Sequence, residues 1–375
     1  MDEDDFLHSH TIMYFGAIRK EKDALDSLLF KEIFSTDRLA LDQEDPLTIS
    51  QLESYVESID KSSELWALQH SCIEKLSSDS EWVTQDLLDW LLRLNRVGMR
   101  HFKPLILGAL NRMSSDNLTD TSETLVDLMK EIERFVFIMY ELCEYRADQQ
   151  AKTEFGNYGN GIFYSQEGYS FKEVVDALRD YLYCFSDDGE FLGYFDPSIF
   201  VNNVHARFHK DKGWLDWDAI KYFLSEWESD LGGGVVPAGK YINLSLEHIM
   251  PQNPDAPGQW MENQKELGKR ARYVINDLGN LVLLGLGANK AVQDVDLKVK
   301  ADAYQTSAGG KDVLERAGRR YSWGNSQILE RGRAMVEFLL TRWNLPGQEE
   351  DSEFQIDAED VLSVRVKPPR ARSQS

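Results

Sequence analysis

Five residues between positions 242 and 304 have the types and order to hydrolyse a phosphodiester: Glu247, His248, Asn280, Asn289 and Lys300. That reaction needs a base to activate water and a cation to stabilise charge on the phosphate and the leaving oxygen. A histidine with an accessible ring nitrogen is a good base near neutral pH, which makes His248 the candidate. Glu247 brings a carboxylate and Asn289 a side-chain carbonyl, the oxygen donors that a hard cation such as Mg²⁺ (or Mn²⁺) prefers. The segment holds no cysteine and one histidine, which disfavours zinc. One charged and one neutral ligand imply weak metal binding, completed by the phosphate of the substrate. Asn280 precedes an apolar run, where its amide can bridge backbone groups and hold the base in place.

The elements that must position these side chains are legible in the same stretch. Ile242, Leu244 and Leu246 alternate with Asn243, Ser245 and Glu247, the period of a half-buried strand. That period places Glu247 and His248 on opposite sides unless the strand bends, and Pro251 ends the strand and favours a bend. A second strand, Leu281–Leu284, follows Asn280, and a helix whose first turn carries Asn289 comes next. Strand, strand, helix with these residues is the layout of a ββα-metal (HNH/His-Me finger) site. A lone Glu-His pair arises often by chance, and an Asn after Gly is usually a turn residue. The weight rests on the ordered set Glu-His…Gly-Asn-Leu…Asn…Lys…Tyr. The zinc-protease pattern HExxH is absent.

The bulk of the chain fits a scaffold around that segment. The 375 residues leave room for two or three domains, and 42% hydrophobic content excludes wholesale disorder. The net charge of −23 argues against a uniformly basic nucleic-acid surface. The charge is uneven: residues 1–150 carry about 30 acids against about 15 bases, whereas residues 241–345 come out at about +2. Lys265, Lys269, Arg270, Arg272, Lys290, Lys298, Lys300, Arg319 and Arg320 are the candidates for phosphate contact there, and Lys300 stands out because its position belongs to the ordered set. Cys72, Cys143 and Cys184 are far apart and odd in number, so neither a disulfide framework nor a zinc site is expected, and a reducing cytoplasm is the expected compartment. The acidic start lacks the features of a signal peptide, and no apolar run is long enough to span a membrane.

Helical periodicity dominates residues 1–150. Amphipathic stretches run over Phe6–Phe15 and Leu25–Phe34. A helix is expected to start at Ser50, with Glu53 completing a capping box; further helices are expected over Thr84–Leu94 and Ser122–Tyr145. Residues 151–165, rich in Gly and Asn, read as a loop; no strand precedes these glycines and no Lys-Ser/Thr follows, so they are not a phosphate-binding loop. Helices resume over Phe171–Tyr183 and Trp217–Leu231, and a last one spans Ser326–Trp343. His205 and His209 sit four residues apart but have no third ligand nearby and read as surface histidines. The expected architecture is α+β, mostly α: a helical domain over 1–150, a helical connector over 151–240, the ββα-metal nuclease motif packed among helices over 241–345, and a disordered tail over 346–375.

Leu246-Glu247-His248-Ile249-Met250-Pro251-Gln252, then Leu278-Gly279-Asn280-Leu281-Val282-Leu283-Leu284, then Asn289, Lys300 and Tyr304, resemble the C-terminal HNH-type nuclease domain of GmrSD-like type IV restriction enzymes. Trp323, Arg331 and Trp343 resemble that domain's closing helix. The resemblance implies His248 as general base, Glu247 and Asn289 as metal-side residues, and Asn280 as the middle Asn of the HNH signature. It implies a DNA endonuclease acting on modified or foreign phage DNA in anti-phage defence. Family members usually carry, in the same chain or a partner, a ParB-like nucleotide-binding domain with an Asp-Gly-Gln-Gln-Arg-type motif. No such motif occurs here, so the chain reads as the nuclease half alone, either a separate subunit or a truncated product, and a ParB-like partner subunit is expected. Two other readings stay open: a catalytically inactive helical interaction or regulatory subunit, and an RNA-cleaving nuclease of the same ββα class.

Overall fold

A computed structural model of the chain describes residues 3–16, 28–39, 47–71, 80–115, 120–146, 149–184, 193–232, 234–254, 258–292, 295–345 and 355–366. The architecture is α+β and mostly α, with one two-stranded sheet among the described residues. The chain divides into two compact units: Met1–Val136 with Arg146–Gly193, and Phe137–Tyr145 with Tyr194–Ser375.

The first unit is built from α1 (Glu3–Phe15), α2 (Ile49–Ser71), α3 (Gln85–Val97), α4 (Lys103–Met113), α5 (Ser122–Val136), α6 (Gln149–Phe163) and α7 (Phe171–Leu182). Their starts follow local chemistry. Thr84 caps α3 by accepting the Leu87 N–H at 3.2 Å, and Ser170 with Glu173 forms a capping box on α7. The expected start at Ser50 is displaced: Thr48 accepts the Gln51 N–H at 3.2 Å while its own N–H donates to Gln51 Oε1 at 2.8 Å. Thr48-x-x-Gln51 satisfies the same reciprocal pattern two residues earlier, so the helix begins there. Of the Leu25–Phe34 stretch, residues 25–27 lie outside the described residues, and Leu28–Ile33 is π-helical.

The glycine-rich segment expected as a loop is helix α6. Its glycines serve packing rather than turning: a Cβ on Gly159 would lie 2.7 Å from the Pro104 carbonyl oxygen at the start of α4. Glycine there lets two helix backbones meet. Gly159→Ala is expected to cost about 1–3 kcal/mol, since the obstructing atom is backbone and cannot rotate aside. A urea midpoint equal to that of the parent would show that the two helices are not in this contact.

The second unit begins where α5 passes into a π-helical turn, Phe137–Leu142. Phe137 stacks on Trp343 with centroids 3.6 Å apart, Trp217 Nε1 donates to the Glu141 carbonyl at 2.9 Å, and Asn203 donates to the Cys143 carbonyl at 3.1 Å. The unit continues with α8 (Pro197–His209), α9 (Ile220–Gly232), α10 (Ala238–Ile242), β1 (Leu244–His248), α11 (Gln259–Leu267), α12 (Ala271–Ile275), β2 (Leu281–Gly285), α13 (Leu286–Val292), α14 (Leu297–Tyr304), α15 (Ala308–Ala317) and α16 (Asn325–Arg342). β1 and β2 pair antiparallel, with Leu246 opposite Leu283 and His248 opposite Leu281. β2 packs against both α9 and α15. That two-sided cover explains why its residues 281–284 are apolar without alternation and all buried. Around the sheet, Ile249, Met250, Trp260, Val274, Tyr304 and Trp323 form a continuous core.

Part of the expected disordered tail is packed. Residues 355–366 include a short 3₁₀ turn, Ala358–Val361, with Val361 and Leu362 fully buried. Asp357 caps this turn, Trp214 Nε1 donates to the Val361 carbonyl at 2.9 Å, and His205 Nε2 donates to the Asp360 carbonyl at 2.7 Å. The apolar residues Ile356, Val361, Leu362 and Val366 supply the burial that overrides the polar composition of the segment.

Candidate active site at the end of strand β1

The sequence between β1 and β2 folds back so that Asn280 reaches the residues just after His248. The Asn280 side chain is fully buried. Its Nδ2 donates to the carbonyls of Met250 (2.9 Å) and Ile275 (2.8 Å), and its Oδ1 accepts the Met250 N–H (2.8 Å) and Trp323 Nε1–H (3.2 Å). All the hydrogen-bonding capacity of the amide goes into fixing the backbone where the chain leaves β1. The turn before Asn280 is pressed against α16: a Cβ on Gly279 would stand 1.8 Å from the Ile328 carbonyl oxygen, so no other residue fits. Arg331 on α16, fully buried, donates through Nη1 to the Gly279 and Leu281 carbonyls at 3.0 and 2.7 Å and through Nε to Asp312 at 2.8 Å.

Glu247 is 6% exposed and ion-paired with Lys300, whose Nζ lies 2.6 Å from Oε1. The same ammonium donates to the His248 and Ile249 carbonyls at 3.2 and 3.3 Å. Lys300 is fully buried, which removes it from the set of phosphate contacts. His248 is half-buried, and its Nε2 lies 3.0 Å from Asn276 Oδ1. Burial lowers the His248 pKa from its ordinary value; the Asn276 hydrogen bond opposes that shift and the nearby Lys300 charge adds to it. Burial thus favours the neutral ring, the form that can accept a proton.

Asn289, in α13 immediately after β2, turns its Nδ2 toward β1 and donates to Ser245 Oγ at 2.8 Å and the Leu246 carbonyl at 2.7 Å. Alternation along β1 puts Ser245 and Glu247 on one face, so Asn289 and Glu247 serve the same side of the strand. The two do not fit a divalent cation as they stand. The Glu247 charge is committed to a buried ammonium that would repel a metal, and Asn289 presents its amide nitrogen rather than its oxygen to the strand. Among the described residues no group of three or more His, Cys, Asp or Glu side chains is placed to hold a metal, the His205/His209 pair included.

Of the surface cations, Lys265, Lys269, Arg270, Lys298, Arg319 and Arg320 are exposed. Arg272 is also exposed but is held by Asp211, Nε to Oδ1 at 3.1 Å, and donates to the Tyr273 hydroxyl at 2.8 Å. Lys290 belongs to α13, and its side chain lies outside the described residues.

The residue that sequence reasoning missed is Asn276. Its signal was a pair of adjacent polar residues, Asn276-Asp277, in a stretch from Tyr273 to Leu284 whose remaining residues are apolar or glycine apart from Asn280. Both are buried. Asp277 accepts N–H groups from Leu278 (2.8 Å) and Ser363 (2.9 Å). Burial nevertheless pushes its carboxyl up to about 6 from an ordinary 3.8. Because the folded value is the higher, its stabilising contribution is whole below about pH 4 and is lost as pH rises through about 6. At about 1.4 kcal/mol per unit the loss amounts to about 3 kcal/mol. Urea midpoints at pH 4 and pH 7 should therefore differ more for the parent than for Asp277→Asn; equal differences would show that Asp277 does not titrate this way.

Residues 202–338, all within the second unit, match the family model described as GmrSD restriction endonucleases, C-terminal domain. This part of the chain is similar to the C-terminal domain of GmrSD restriction endonucleases, and the match indicates a role related to restriction endonucleases. Neither the curated proteins nor the solved structures compared with the chain yielded a match. No helix among the described residues is long and apolar enough to cross a membrane.

Proposed function

We propose that the chain is a DNA endonuclease of HNH type in which His248 is the general base of phosphodiester hydrolysis. The observation that carries this reading is a half-buried imidazole at the end of β1, its neutral form favoured by burial, next to backbone clamped by Asn280, inside a segment matching a restriction-endonuclease domain. The exposed cations Lys265, Lys269, Arg270, Lys298, Arg319 and Arg320 are the proposed contacts to the DNA backbone. Mg²⁺ or Mn²⁺ belongs to the proposal through the sequence motif, with Glu247 and Asn289 on its side of the site. No step is assigned to the ion, because these residues do not fit one as arranged. Modified or foreign phage DNA as target, cytoplasmic action in defence, and a ParB-like nucleotide-binding partner that selects the target complete the proposal.

The test is incubation of the purified full chain with plasmid and, in parallel, with RNA of similar length, in Mg²⁺, Mn²⁺ or EDTA. Nicked or linear plasmid formed by the parent and not by His248→Ala supports the reading. A His248→Ala protein that cuts as fast as the parent overturns it, and preferential cleavage of RNA replaces the substrate.

A further inference from the structure

The hydrogen-bond partners of Asn276 determine more than the placement of one amide. Its Nδ2 donates to two backbone carbonyls, Asp211 at 2.9 Å and Arg272 at 3.3 Å. Carbonyls can only accept, so they fix which end of the amide is nitrogen. Oδ1 therefore faces His248 and Gln252 and can itself only accept. It takes Gln252 Nε2–H at 3.2 Å, and it lies 3.0 Å from His248 Nε2, which must carry the ring proton. In a neutral imidazole the other nitrogen, Nδ1, then holds the free lone pair. The backbone of Asn276 is anchored as well: its carbonyl accepts the Trp214 N–H at 3.0 Å. The Asp211–Trp214 turn that follows α8 thus grips Asn276 at both its side chain and its main chain.

We infer that Asn276, gripped by the Asp211–Trp214 turn, is a positioning residue that fixes His248 with its proton on Nε2 and offers Nδ1 as the proton acceptor. The inference rests on the reading of His248 as general base and extends it to a residue 28 positions away in sequence. In the step it serves, a water O–H bond breaks and its proton passes to Nδ1 while the water oxygen bonds to phosphorus. The phosphorus bond to the leaving oxygen breaks, that oxygen takes a proton from solvent, and the imidazolium later returns its proton to solvent.

The test uses the full chain with ¹⁵N-labelled histidine and two-bond ¹H–¹⁵N correlation of the imidazole rings. The His248 signal is identified as the one of seven that His248→Ala removes. The expected parent pattern is the Nε2–H tautomer; a proton on Nδ1 overturns the inference whatever the cleavage assay shows. Asn276→Ala is expected to mix the two tautomers and to lower kcat on plasmid about 10–100-fold with KM unchanged. Gln252→Ala, which removes only the second donor, is expected to leave the tautomer as in the parent. If Asn276→Ala keeps the parent tautomer and kcat, the positioning role fails while the base reading stands. If the parent does not cut at all, the base reading fails, and the parent spectrum still decides whether Asn276 sets the ring.

Discussion

His248→Ala is expected to lower the rate of plasmid cleavage by about 10²–10⁴-fold, the range that a positioned general base contributes. The same substitution is expected to cost only about 1 kcal/mol of stability. His248 is half-buried, and the hydrogen bond from its ring goes to Asn276, whose Oδ1 retains Gln252 Nε2–H at 3.2 Å when the ring is gone. Activity and folding should therefore separate at this position. Urea unfolding of the variant, run beside the cleavage assay, checks both halves. Loss of activity accompanied by a collapse of the unfolding midpoint would make His248 a structural residue rather than a catalytic one.

Lys300→Met shows the opposite pattern, an effect on folding first. The methionine keeps the apolar stem and removes the ammonium, leaving the Glu247 carboxylate 6% exposed without the partner now 2.6 Å away. Breaking one side of a buried ion pair costs about 3–5 kcal/mol, because an uncompensated charge stays in the interior. The carbonyls of His248 and Ile249 lose a donor in the same change. Glu247→Gln/Lys300→Met removes both charges and is expected to recover a large part of the loss. Urea midpoints of the four proteins, at constant m, give the coupling. A double variant as unstable as the sum of the singles would show that the two charges do not act on each other. The cycle also bears on the metal: a dependence on Mg²⁺ that disappears in Glu247→Gln, with the fold intact, would place an ion at this carboxylate despite the present geometry.

What the sequence made legible was local. The two strands around the motif, a helix from Ser122 (read as far as Tyr145, its α-helical part ending at Val136) and a closing helix read over Ser326–Trp343 and found over Asn325–Arg342 follow from apolar spacing that each segment carries by itself. Two failures have a common cause in composition. Glycine in α6 looks like a loop by propensity, yet Gly159 is there because another backbone passes within reach of where a Cβ would be. Residues 355–366 look too polar to fold, yet a few apolar side chains and the carboxylate of Asp277 anchor them. The site shows the same limit. Glu247 and Lys300 were each picked out as members of a motif, but nothing in a spacing of 53 residues indicates that they neutralise each other. Likewise Asn276 gains its role from Asp211, 65 residues earlier. Periodicity reports which face a side chain takes, not which partner waits on that face.

The stacking of Phe137 on Trp343 has a consequence for the order in which the chain can fold. The second unit takes one segment from before residues 146–193 and the rest from after them. During synthesis, Phe137, the Glu141 carbonyl that Trp217 caps, and the Cys143 carbonyl that Asn203 caps leave the ribosome well before their partners. The interior of this unit cannot close until Trp343, about two hundred residues after Phe137, has been added, a long-range closure of the kind that slows folding. A fragment cut to the family-matched residues 202–338 would lack both Phe137 and Trp343. The candidate site around His248 is thus among the last parts of the protein that can assemble.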